Sequence, residues 1–251
     1  MPSVQAEEAG PVLFLDLARP PRNVLDLATI HELAARLAPL ADRRDIRTVV
    51  LRSGVPGIFS AGVDVSDHRQ PKVDEMLTSF HAVFRRLDEL PQVTVAAVDG
   101  PCLGGGCELA AFCDIILATR RAVFGLPEVD LGCFPPVAAA FLPRLLGRPA
   151  FELVLTGRRV DADEAQRIGL VTRVVDDLPA EVDGLVATLS AKSGVALAAA
   201  RRALRLSCAA GFAEALAAGE RLYREQVAPS NDAEEGILAF LQKRPPVWTH
   251  S

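Results

Sequence analysis

Two acidic residues and a run of three glycines are where this sequence could do chemistry. Gly104-Gly105-Gly106 stands between a β-branched segment at 93–98 and a stretch that favours helix at 108–112. Three glycines let backbone N–H groups face a ligand without side-chain obstruction. A helix that follows brings its positive dipole end to the same point. An anion, or a carbonyl turning into one, is stabilised by such donors. A tight turn needing glycine conformers would look the same. A dinucleotide fingerprint is excluded, because Leu109 stands where the third glycine belongs.

Glu108 lies two residues after the triplet, among Cys107, Leu109, Ala110, Ala111 and Phe112. A carboxylate amid apolar neighbours is costly to bury unless it is paired or used. Alone, it could equally favour the helix N-terminus from the surface. Glu128 sits in the apolar loop Gly125-Leu126-Pro127-Glu128-Val129-Asp130-Leu131-Gly132, where a solvated acid is the ordinary outcome. Two carboxylates in different environments are what moving a proton to carbon while activating water requires. A third segment, Phe59-Ser60-Ala61-Gly62-Val63-Asp64, would let a ligand approach the backbone, a weak signal by itself.

The elements that must position these groups follow from apolar spacing. Residues 12–17, 48–51, 93–98, 115–118 and 170–175 read as strands. Leu27, Ile30, Leu33, Leu37 and Leu40 recur at helical spacing behind Asp26, a plausible N-cap. Helices are also expected over 77–90 and 161–168. Pro135-Pro136 argues against an ordinary helix start at the next residues. Beyond about residue 180 the pattern is helical throughout, at 181–191, 194–208, 212–227 and 232–242. Alternation first and helices later point to a layered α/β core, 1–190, with a helical C-terminal lobe, 191–251.

Composition narrows the function classes. The chain has 251 residues, 50% of them hydrophobic, and a formal net charge of −5 with no basic block. That weighs against nucleic acid as a partner, since phosphate neutralisation supplies such affinity. Five cysteines, without a CxxC pair or interleaved histidines, indicate neither a disulfide framework nor a zinc site. The N-terminus MPSVQAEEAG carries acids where a signal peptide is basic and then apolar, and no stretch approaches a membrane span. A cytoplasmic protein that meets no membrane is expected. His31 and His81 read as residues of amphipathic helices, and His68 as a solvated loop residue that could border a pocket. Ser60 lacks a GxSxG context.

Five segments together resemble the enoyl-CoA hydratase/isomerase (crotonase) family: FSAGVD at 59–64, GPCLGGGCELAAFCDIILAT at 100–119, FGLPEVDLG at 124–132, LTGRRVDADEAQRIGLV at 155–171 and EEGILAFLQKRP at 234–245. The resemblance implies a ββα spiral core and a helical lobe used for trimerisation, in a homotrimer or a hexamer built as a dimer of trimers. It implies an oxyanion hole from the Val63 and Gly105 amides, with Glu108 on the water and Glu128 on the substrate carbon. Ala61 and Val65 would take the adenine of coenzyme A. Lys243 would approach its phosphates, from a neighbouring subunit. Coenzyme A would enter as part of the substrate, with no permanently bound cofactor and no metal.

Pro136 stands where hydratases of the family carry a glycine whose N–H helps hold the water, and proline has no N–H. That segment, with GCFPPVAAAFLPRLLG and DVSDHRQPKVDEMLTSFH, is similar to cyclohexa-1,5-diene-1-carbonyl-CoA hydratases, which act in the degradation of aromatic compounds. The likeness implies a pocket shaped by Phe134 and Pro136, with His68 at its border, that suits a ring. A double-bond isomerase, an acyl-CoA thioester hydrolase and a non-catalytic CoA- or RNA-binding member remain as alternatives.

Overall fold

The structure, a computed structural model, describes residues 2–208 and 211–251. Its centre is a six-stranded sheet built from β1 (Val4–Ala9), β2 (Val12–Leu17), β4 (Thr48–Ser53), β6 (Val93–Val98), β8 (Ile115–Thr119) and β11 (Arg173–Val175), in that spatial order. All neighbours run parallel except β1 and β2. Parallel strands covered on both faces read as continuous apolar runs, which is why 48–51 and 93–98 lack alternation. Val49 and Leu51 face one core, and Val50 faces the other with Phe14, Val95 and Leu117. The second face is closed by Val182 of α7 (Leu178–Ser190).

The first face carries α1 (Leu27–Leu37), α2 (Val73–Glu89) and α3 (Gly105–Ala111). Asp26 caps α1 by accepting from Thr29 N at 2.9 Å, as its position in the sequence implies. Two small sheets hold the connecting loops: β3 (Val24–Leu25) beside β5 (Gly62–Val63), and β7 (Pro101–Leu103), β9 (Val123–Gly125) and β10 (Arg159–Asp161).

The expectation at Pro135-Pro136 is overturned. Pro136 opens α4 (Pro136–Leu146), with Pro135 at the N-cap. The first helical position needs no N–H donor and favours the fixed φ of proline. The helix α5 (Arg148–Thr156) follows directly, and α6 (Ala162–Arg167) begins at its cap Asp161. Strand β11 covers only the last three residues of the segment 170–175.

The C-terminal region is helical: α8 (Gly194–Ser207), α9 (Phe212–Leu222), a π turn at 223–227 where the helical pattern of 212–227 changes pitch, and α10 (Asn231–Leu241). Arg201 of α8, 4% exposed, ties this region to the core. Its guanidinium meets Asp114 Oδ2 at 2.6 Å and donates to Leu87 O at 2.7 Å, satisfying a carbonyl at the end of α2. Trp248 donates to Ala191 O at 2.8 Å and packs against Gly236, holding the terminal segment on α7 and α10. Among the described residues no single helix is long and apolar enough to cross a membrane.

Candidate active site

The segment 59–63 is fixed by residues that make no claim to chemistry. Ser60 Oγ donates to Asn23 O at 2.7 Å and accepts from Gly62 N at 3.1 Å. Asn23, in the left-handed region at φ 48°, returns a bond from Nδ2 to Phe59 O at 3.0 Å. Ser60 is therefore a fastener for the loop. Sequence reasoning missed Asn23, whose only signal is an asparagine after a Pro-rich turn, a residue type that tolerates this conformation.

Strand β5 ends on two amides with different fates. Asp64 N donates to Leu25 O at 3.2 Å. Successive amides alternate along a strand, so Val63 N turns away from β3. Gly105 is the first residue of α3, and its N–H has no carbonyl four residues back to bond. These two groups are neighbours: a methyl on Gly62 would lie 3.3 Å from Gly105 N, and one on Gly105 would lie 2.6 Å from Val63 Cγ2. Gly104, at φ 53° and ψ −133°, supplies a turn that a residue with a side chain would enter only under strain.

Glu108 is 2% exposed, so it is not the surface acid that its helix position alone would allow. Its Oε1 accepts from Ala138 N at 2.8 Å. Ala138 is the third residue of α4, and its amide is one of the donors that a helix start leaves open. The helix that Pro136 initiates thus presents an amide to the buried carboxylate. Sequence reasoning missed this donor, which becomes visible only once α4 is known to begin at Pro136.

Glu128 belongs to a 3-10 turn, Pro127–Leu131, whose exit at Gly132 is left-handed at φ 75°. Its Oε1 lies over the glycine turn, 3.0 Å from where a methyl on Gly104 would sit. Its Oε2 is buried and has no hydrogen-bond partner among the described residues.

All of this opens on one cavity of about 520 Å³. Glu108, Glu128, Val63 and Gly105 line it, as do Ala61, Val65, His68, Phe134 and Pro136. His68 is anchored through Nδ1 to Asp64 O at 3.0 Å. Phe134, 61% exposed, stands at the edge. Lys243 does not line this cavity; it follows α10 in a left-handed conformation at φ 55° and is exposed. His81, read from sequence as an amphipathic-helix residue, does line it.

Burial dominates the electrostatics of the two acids. It pushes the Glu108 carboxyl up to about 8, against the Ala138 amide, with the Glu128 charge adding to the rise. It pushes Glu128 up to about 7. An acid raised in the folded state stabilises the fold fully below its ordinary value of 4.5 and loses that contribution as pH climbs through 8. Glu108→Gln keeps an acceptor for Ala138 and removes the buried charge. We therefore expect its Tm to exceed that of wild type by about 10 °C at about pH 9 and to match it near the ordinary value. Each pKa unit is worth about 1.4 kcal/mol, and a chain of this size moves roughly 2–4 °C per kcal/mol. A calorimetric scan with no gain at alkaline pH would contradict the assignment of that buried charge.

A sequence model described as enoyl-CoA hydratase/isomerase matches residues 7–251. The chain belongs to the enoyl-CoA hydratase/isomerase family. It is an enzyme of the hydratase type with the crotonase fold. Cyclohexa-1,5-dienecarbonyl-CoA hydratase of Thauera aromatica is 37% identical over 98% of this chain and 95% of its own length. A probable enoyl-CoA hydratase of Mycobacterium tuberculosis is 35% identical over 99% and 98%. The crystal structure of an enoyl-CoA hydratase from Bacillus anthracis superposes with a TM-score of 0.94 at 29% identity, covering 99% of this chain and 100% of that one.

Proposed function

We propose that this family member adds water across a conjugated enoyl-CoA thioester, with a cyclic dienoyl-CoA as the preferred substrate. The observation that carries the reading is the pair of a buried Glu108 and a half-buried Glu128, raised to about 8 and about 7, on the same cavity as the glycine turn. Between those values the pair holds one proton, and hydration needs one carboxyl ionised and one protonated.

Taken singly the two values leave the proton on Glu108, but the pair shares it, and the reaction needs it on Glu128: the orphaned Oε2 suits the protonated form there, while the Ala138 amide favours the ionised form of Glu108. Glu108 then takes a proton from water as its oxygen bonds to the β-carbon. The displaced electron pair runs to the thioester oxygen, where the Val63 and Gly105 amides receive it. Glu128 gives its proton to the α-carbon. The water is held by the two acids without an amide at Pro136.

Coenzyme A would run past Ala61 and Val65 at the cavity edge, and Lys243 would reach its phosphates from a neighbouring subunit of a trimer or hexamer. The exposed apolar residues Leu204, Ile237, Phe240 and Leu241 of α8 and α10 support an assembly that covers them. Phe134 and Pro136 line the cavity, and their bulk suits a ring better than a chain, in keeping with the relative named for a cyclic dienoyl thioester. These steps fit the cytoplasmic degradation of aromatic acids.

The test is direct comparison of crotonyl-CoA and cyclohexa-1,5-diene-1-carbonyl-CoA by product mass. We expect both to gain one water, with kcat/KM higher for the ring. A preference for crotonyl-CoA would overturn the cyclic assignment, and a shifted double bond or free coenzyme A without water addition would favour the isomerase or the hydrolase.

A further inference from the structure

Three carboxylates are buried among the described residues: Asp67, Glu108 and Asp232. The proposed chemistry uses Glu108, and Asp232 holds the backbone of Thr249 and His250, outside the cavity lining. Asp67, 2% exposed, belongs to the 3-10 turn Val65–His68, whose first and last residues both line the cavity. Residues three apart eclipse in such a turn, so Val65 and His68 share a face and Asp67 points to another side. There its Oδ2 accepts from Leu27 N at 3.1 Å and its Oδ1 from Lys72 Nζ at 2.8 Å. Leu27 is the first residue of α1, so the carboxylate meets an amide that the helix start leaves open, at the positive end of the dipole. Lys72 stands at the N-cap of α2 and supplies the countercharge that a buried carboxylate needs.

The other bonds of the turn are local. Ser66 N, Asp67 N and His68 Nδ1 all bond back to Asp64. Those bonds shape the turn, and the two from the Asp67 carboxylate fasten it to the starts of α1 and α2. We propose that Asp67 is a positioning residue for substrate binding: from behind the cavity wall it holds Val65 and His68 where coenzyme A and the acyl group would pass. This rests on the acyl-CoA reading and deepens it.

Butyryl-CoA, which is saturated and cannot be hydrated, separates binding from turnover. In calorimetric titration Asp67→Ala is expected to bind it about tenfold more weakly than wild type, the scale of one hydrogen bond to a charged group. On crotonyl-CoA its KM should rise by a similar factor with kcat held within about twofold, because Glu108 and Glu128 stand on other elements. Lys72→Met, at an exposed position, should weaken binding in the same direction, and Lys72→Arg should bind as wild type does. Amide hydrogen exchange at 65–68 should quicken in Asp67→Ala and Lys72→Met while that of the central sheet stays as in wild type. Unchanged binding in Asp67→Ala, or in Lys72→Met should Asp67→Ala not fold, overturns the proposal. So does tighter binding by Asp67→Ala, which would make the freed Lys72 itself a ligand for the phosphates. A fall in kcat with KM unchanged also overturns it. Failure of wild type to bind butyryl-CoA instead overturns the acyl-CoA reading itself.

Discussion

Replacing either Glu108 or Glu128 by glutamine is expected to lower kcat about 10²–10⁴-fold, the usual contribution of a positioned general acid or base. KM should change far less, because neither carboxyl is asked to bind substrate more strongly in the ground state than its amide would. The double variant should lose little more than the worse single one. The two groups handle one water between them, and removing either already breaks the proton relay. Steady-state kinetics on crotonyl-CoA check all three. Near-normal turnover by both single variants would remove the acid/base roles.

The second large effect is expected at Gly105. A methyl there would approach Val63 Cγ2 to 2.6 Å and Phe80 Cζ to 2.8 Å, closer than real side chains come. Those atoms belong to packed residues, so relief must come from parting β5 and α3. That motion separates the two amides proposed to share the thioester oxygen. The loss should be about 10²–10³-fold in kcat, as for removal of one oxyanion donor. Val63→Ala keeps its N–H and removes the nearer obstacle, so Gly105→Ala/Val63→Ala should recover part of the loss. Full activity in Gly105→Ala, with Tm unchanged, would contradict the pairing of the amides.

Much of this site can be read from residue types and order. The glycine triplet, the two acids and the segment 59–64 are each ambiguous alone. Glu108 and Glu128 acquire meaning from sharing one cavity, which is a property of topology. Asp26 announces its helix because an N-cap acts locally, through a bond to the amide three residues on.

What stayed hidden depended on long-range packing. Pro136 looks like a barrier to helix, yet the proline ring suits the first position, and the Ala138 amide two residues later is what Glu108 needs. His81 falls on the buried stripe of α2, and periodicity does not tell a side chain facing a core from one facing a cavity. The strands β7, β9 and β10 have three residues each, too short to show a period. Strand β1 has one buried residue and five exposed, so its pairing with β2 leaves no apolar trace.

The most direct measurement follows oxygen. Wild-type protein and the two glutamine variants would be given crotonyl-CoA in water labelled with ¹⁸O, and the thioester product analysed by mass. The account predicts one labelled oxygen bonded to carbon in the wild-type product and almost none with Glu108→Gln or Glu128→Gln in the same interval. Unlabelled product from wild type, or label taken up equally by all three proteins, would contradict it.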